Sequence, residues 1–423
     1  MTSTKIVIVG AGAAGLTAAK ELQRLEQDFL LLEASHRIGG RAYTEVLAPG
    51  MPFDLGAHWI MEPTINPLMR LAERGQLRLV KDDKHYTAGR YFEDGEWLPK
   101  GIDQELSAYW DKQFDAMAHA SNGHRDSSVF DAIDNDNRWA TYFHALYAKD
   151  STRDVDQASA KDALAFAHEE DDLAVAGGLG NLMARYGADV PVKLNSAVRK
   201  VDSSGSWLKL DTVKGRIDAD KVILTVSNGV LSTRQIDFSP ALPDWKLEAI
   251  EGLPLGSHTR IAVMFGKPVL GELPAHFTVN TSGDGPIHFR NQPFGNDYVE
   301  IVTGGRISEW MEKSGERATI EFVLAKLRAA AGNRAVPDPT HHIVSAWDQD
   351  AWVKGAYSCA RPGAADQRTI LAQPIDDRIF FAGEATSSNA YASIHGACIS
   401  GRDAARATVA QLGKTTKVAN ELV

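Results

Sequence analysis

The sequence predicts an α/β fold of two lobes, and three patterns carry that reading. KIVIVGAGAAGLTAAKELQRLEQDFLLLE, from Lys5 to Glu33, reads as strand, glycine turn, helix, strand. RIFFAGEATSSNAYASIHGACISGRDAA, 378 to 405, repeats strand, glycine turn and helix at the other end of the chain. Between them, strand patterns (PVKLNSAVRKVD, SWLKLDTV, KVILTV) return over 190 to 235. The expected architecture is a discontinuous Rossmann-like lobe plus an α+β lobe whose mixed sheet is flanked by helices.

The chain has 423 residues, 44% hydrophobic and 24% charged, which suits a soluble protein large enough for two cores. A formal charge of −10 argues against a nucleic-acid partner and accords with cationic substrates. Cys359 and Cys398 make neither a disulfide framework nor a metal site, so a reducing, cytoplasmic setting is expected and no metal is. MTSTK runs straight into KIVIVG without a leader pattern, and no apolar run reaches the about 18 residues of a membrane span. No repeat is visible, and the C-terminal KTTKVANELV reads as a polar, frayed tail.

Each part of the first unit has a physical role. Gly10 permits the tight turn, Gly12 lets backbone approach a phosphate, and Gly15 lets the helix pack against the strand. Ala14 stands in the first helical turn, where unpaired N–H groups and the positive dipole end favour an anion. Glu33, about 20 residues beyond the turn, is placed to accept from ribose hydroxyls and to disfavour a 2′-phosphate. This much fits NAD or FAD.

A second glycine pair, Gly39-Gly40, follows at once between Arg37 and Arg41. Two glycines let the main chain pass close to a ligand, and two guanidiniums suit phosphate oxygens. The chain thus returns to the same pyrophosphate from its other side. An NAD unit, whose cofactor must leave, rarely needs that; a tightly held FAD does.

GAGAAGL, LLEASHRIGGRAYT and FDLGAHWI together resemble the start of the flavin-containing amine oxidases, the family of the monoamine and polyamine oxidases. RIFFAGEATSSNAYASIHGACISGRDAA is similar to the segment that closes over the flavin there. AGGLGNLMARYG, DKVILTVSNGVL, ALPDWKLEAIEGLPLGSHTRIAVMF and WDQDAWVKGAYSCARPG also match. The resemblance spans most of the chain and is thin only across about 85 to 170. It implies a cofactor lobe from 1–80, 175–255 and 355–423, and a substrate lobe from 81–174 and 256–354. In the second lobe, DQELSAYWDKQFDAMAHA, RWATYFHALYA and QASAKDALAFAHE read as helices. RIAVMF, HFTVN, YVEIVTG and HHIVSAW read as strands, with one helix, ERATIEFVLAKLRAAAG, among them.

The resemblance also implies roles. Val198 meets the adenine. Gly56, Ala57, His58 and Trp59 lie beside the flavin. Gly383 and Glu384 end a strand near the ribityl chain or phosphates, and Ser393, Ile394 and Ala397 open the last helix toward the flavin's N1–C2=O edge. Ala356 stands where covalently flavinylated members carry a cysteine, so the FAD is expected to be non-covalent. The implied reaction is hydride transfer from the carbon next to a neutral amine to flavin N5. Hydrolysis of the imine and reoxidation by dioxygen to hydrogen peroxide follow.

On the substrate side, Tyr357 and Trp347 fall at family aromatic positions. Ser393 replaces the usual opposing tyrosine, with Tyr391 two residues earlier, which leaves the aromatic cage half open. His58 is a candidate to hydrogen-bond or deprotonate the substrate ammonium. Arg260 stands where many members have a lysine that holds a water by N5. Arginine donates but does not act as a base, so it holds a water, salt-bridges a substrate carboxylate or pairs within the sheet. His258, two residues away, shares its strand face. Two other readings stay open: an FAD-dependent dehydrogenase or desaturase of a non-amine substrate, and a non-catalytic FAD-binding protein. Oligomeric state is not legible.

Overall fold

The structure is a computed structural model and describes residues 2–81, 89–121, 126–167, 172–266, 273–281, 283–332 and 336–412. The tail KTTKVANELV and the end of AFAHE lie outside the described residues.

Two sheets organise the chain. The first runs in the order Val192–Lys193, Phe29–Leu32, Thr2–Val9, Gly215–Leu224, Leu208–Thr212, Val198–Asp202, Asp237–Ser239, with Ile379–Phe381 also on Gly215–Leu224. Its centre is parallel: Val7 pairs with Leu30 on one side and Val222 on the other. Ile6, Val7 and Ile8 are fully buried, as a strand covered on both faces must be. The helix Ala13–Arg24 returns over this sheet, and the last helix, Ile394–Leu412, packs against it. That packing needs Gly401, because a Cβ there would lie 2.1 Å from the Ala14 carbonyl oxygen.

The second sheet has the order His341–Val344, His258–Met264, Val299–Gly304, Gly285–Asn291, His276–Thr281, Arg90–Glu93, Glu96–Trp97. It is antiparallel except where His276–Thr281 meets Arg90–Glu93. Ile261, Val263, Phe277, Val279, Ile287, Phe289, Val299 and Ile301 pack under the helix Arg306–Ala331. That helix begins before the ERATIEF segment and breaks its regular geometry at Gly315, φ +85°. The opposite face is polar. The register aligns Arg260, Val302 and His288 in that order across three strands, and Ala262, Glu300 and Arg290 likewise. The strand Gly285–Asn291 is absent from the sequence reading, because its alternate residues, His288 and Arg290, serve this polar face rather than a core.

The three expected helices of the second lobe appear as Ile102–Ser121, Ala140–Ser151 and Ala160–Ala165. No helix among the described residues is long and apolar enough to cross a membrane.

Candidate active site

One cavity runs from the first glycine turn to the polar face of the second sheet. At the turn, Gly10 has φ +105°, and its N–H donates to the Leu32 carbonyl at 2.8 Å. A Cβ on Gly15 would lie 1.9 Å from the Gly10 carbonyl oxygen, so only glycine lets the helix start this close. A Cβ on Gly12 would meet nothing within 4 Å. Gly12, Ala13 and Ala14 line the cavity, and no side chain caps the helix start. Glu33 is buried and accepts from Ala11 N at 2.6 Å and Ser35 N at 2.8 Å.

The second pair packs on the first. Gly39 N donates to the Ala11 carbonyl at 2.8 Å, and a Cβ on Gly40, where φ is +57°, would lie 3.4 Å from Gly12 Cα. Arg37 and Arg41 both line the cavity. Arg37 donates to the Gly40 carbonyl at 2.8 Å, and its guanidinium lies 3.8 Å from the Tyr43 ring centroid. Arg41 donates to the Ala356 carbonyl at 2.6 Å and to Glu384 at 2.9 Å. Glu384 also accepts from Ser358 Oγ at 2.6 Å and Ala392 N at 3.0 Å, so it ties four segments together. Burial works to raise the Glu384 pKa, but Arg41 and Ser358 outweigh it and hold the carboxyl below its ordinary value.

Val198, Gly56, Ala57, Trp59, Gly383, Ile394 and Ala397 also line the cavity. A Cβ on Gly56 would come within 3.0 Å of the Trp347 ring, whose indole N–H donates to the Leu55 carbonyl at 2.8 Å. Ser393 caps the last helix: its hydroxyl accepts from Gly396 N at 3.0 Å and donates to the Ala390 carbonyl at 2.6 Å.

At the far end His58 meets Asp54. His58 Nδ1 lies 3.0 Å from Asp54 Oδ2. The carboxylate is 1% exposed and also accepts from Leu179 N, Gly180 N and Thr44 Oγ1. Against burial, the bond from His58 holds the Asp54 carboxyl below its ordinary value. An ionised acceptor at Nδ1 places the proton there and leaves a lone pair on Nε2. Among the described residues Nε2 is buried without a partner, and His58 lines the cavity. Burial first, then Arg260, holds His58 below its usual pKa, against the upward pull of Asp54. The ring stands edge-on to Trp59, centroids 4.4 Å apart.

Tyr357 lines the same end, and its hydroxyl donates to the Asp150 carbonyl at 3.0 Å. Tyr391 is not among the lining residues: its hydroxyl donates to the Asp162 carbonyl, and its ring lies under the Arg368 guanidinium at 3.6 Å. Phe166, which the sequence did not single out, packs on Tyr391 and lines the cavity. Arg260 donates to Glu300, whose other oxygen accepts from Arg290 at 3.1 Å. Burial alone would raise Glu300; the two arginines hold it down to about 2. Asp54, Glu300, Arg290 and His288 went unassigned in the sequence.

A cradle of backbone N–H groups joined to a polar, half-aromatic chamber defines a dinucleotide-dependent oxidoreductase. Residues 13–409 match the model of the flavin containing amine oxidoreductases, and the chain belongs to that family. It is an FAD-dependent oxidoreductase acting on amines. Polyamine oxidase 5 of Oryza sativa subsp. japonica is 27% identical, over 96% of this chain and 89% of that one. Polyamine oxidase 2 of Arabidopsis thaliana is 28% identical, over 95% and 87%. A solved structure of putrescine oxidase bound to putrescine shares the fold, with a TM-score of 0.77 at 20% identity, over 96% of this chain and 99% of that one. The open space over Gly12 and the uncapped helix start fit the cofactor's pyrophosphate.

Proposed function

We propose that the enzyme oxidises the carbon next to nitrogen of a small amine, with His58 as acceptor of the substrate's ammonium proton. Bound FAD would supply the hydride acceptor, and dioxygen would be the final electron acceptor, giving hydrogen peroxide. Gly10, Gly12, Ala14, Gly15, Glu33, Gly39, Gly40 and Val198 would hold its dinucleotide half. Arg37, Arg41, Gly383, Glu384, Ser393, Ile394 and Ala397 frame its other side, and Ala356 offers no thiol for a covalent bond. The first sheet belongs to a Rossmann-like cofactor lobe, and the second to a substrate lobe with the boundaries given above.

The observation that carries the reading is the Asp54–His58 pair: His58 lines the cavity, and its buried Nε2 has no partner among the described residues. An amine arrives in water as ammonium, which has no lone pair to drive loss of the α-hydride. His58 Nε2 takes one proton and becomes imidazolium, which Asp54 stabilises against the burial and the Arg260 charge that oppose it. Trp59, Trp347 and Tyr357 wall the chamber and limit water around the neutral amine. The imine released to water hydrolyses to a carbonyl compound. The two buried free cysteines accord with a reducing, cytoplasmic setting. Anaerobic reduction of the protein's flavin by an amine tests the proposal; a protein that binds FAD and is reduced by no amine overturns it.

A further inference from the structure

This inference rests on the amine-oxidising reading and concerns what else the substrate carries. Glu33, Asp350 and Glu384 lie in the cofactor half of the cavity, where Glu33 and Asp350 act on Arg37 and Glu384 binds Arg41. The sheet end is lined by two carboxylates, Asp150 and Glu300. Lys149 donates to Asp150 at 2.6 Å, and Arg260 and Arg290 both donate to Glu300. Among the described lining residues, a second ammonium therefore meets no uncommitted carboxylate.

Donors, in contrast, are left over. Arg260 is 4% exposed, and its guanidinium lies 5.4 Å from the Phe53 ring centroid. Glu300 is the guanidinium's sole hydrogen-bond partner among the described residues, and Nε is buried with no acceptor. His258 shares the strand face two residues away and lines the cavity, its ring 5.6 Å from Tyr357. Burial, then Arg260 and Lys149, holds its pKa down to about 3, so the imidazole is neutral and keeps one N–H. A buried guanidinium N–H without an acceptor is costly, and the acceptor that best offsets the cost is an anionic oxygen. Arg260 also acts electrostatically on His58, and both residues line the one cavity.

We propose that Arg260 and His258 form a subsite for a carboxylate, and that the substrate is a short amino-carboxylate with one ammonium rather than a di- or polyamine. The test uses the FAD-loaded enzyme under anaerobic conditions. Isothermal calorimetry measures binding of pentanoate, its uncharged isostere pentanamide, and putrescine. A hydrogen-bonded charge pair predicts that pentanoate binds about 10- to 100-fold more tightly than pentanamide, and more tightly than putrescine. Arg260→Gln should abolish the preference; the wild-type comparison stands even if that variant folds poorly. Equal affinity for acid and amide, or tighter binding of putrescine, overturns the subsite. Flavin reduction, followed separately, keeps the two claims apart. Pentanoate binding with no reduction by any amine or amino acid sinks the amine reading and leaves the subsite. Reduction by simple amines with no pentanoate preference does the reverse.

Discussion

Replacing His58 with glutamine removes the proposed base and keeps a side chain of similar reach. Without the base, only substrate already neutral in water reacts. For an amine with a pKa near that of lysine, about 10.4, the neutral fraction at pH 7.4 is about one in 10³. That matches the ~10²–10⁴-fold contribution of a positioned proton acceptor. His58→Gln should therefore lose about 10³-fold in kcat/KM for flavin reduction at pH 7.4, and recover about tenfold per pH unit toward pH 10. Asp54→Asn should show the same pH dependence, because an amide donor at Nδ1 moves the ring proton to Nε2 and fills the lone pair. It should also lose stability, about 1–3 kcal/mol, since the amide that replaces Oδ2 then faces Leu179 N. Anaerobic stopped-flow reduction across pH reads both. A His58→Gln profile parallel to that of the parent enzyme would refute the proton-acceptor role.

Three further outcomes follow from the geometry. Gly15→Ala should lower both the apoprotein's thermal midpoint and its FAD affinity. Gly12→Val, entering open space, should leave the midpoint near its parent value and weaken FAD binding alone; calorimetry and FAD titration separate the two. Arg368→Leu should cost about 3–5 kcal/mol by chemical denaturation, because it strands Asp162, 2% exposed, whose two oxygens pair with Arg368 at 2.7 Å. Burial, then Asp348, raises the Glu312 carboxyl to about 8 from an ordinary 4.5. The folded protein thus binds a proton that the unfolded chain has lost, so this group's contribution is complete below about pH 4.5 and fades as pH rises through 8. Glu312→Gln should flatten the thermal midpoint's pH dependence across that window.

The glycine end of the cavity was legible because backbone geometry demands glycine. Gly10 and Gly39 sit at positive φ, and Gly15 and Gly56 stand where any Cβ strikes a carbonyl oxygen. Those requirements are local, so they appear as motifs. The sheet end of the cavity is assembled from strand faces, and its polar residues interrupt the alternation that marks a strand. His288 and Arg290 hid Gly285–Asn291 in this way, and Glu300, inside YVEIVTG, carried no assignment. Asp54 lay within a quoted motif, but its pairing with His58 is set by the turn through Gly56, which no periodicity reports. An acid four residues before a histidine in an otherwise apolar stretch was the one available signal.

The most direct test of the central claim is the visible spectrum of the FAD-loaded protein before and after anaerobic addition of amines, amino acids and polyamines. An FAD enzyme that oxidises amines shows an oxidised flavin spectrum that bleaches with an amine-bearing compound. A flavin that none of these compounds reduces would contradict that claim.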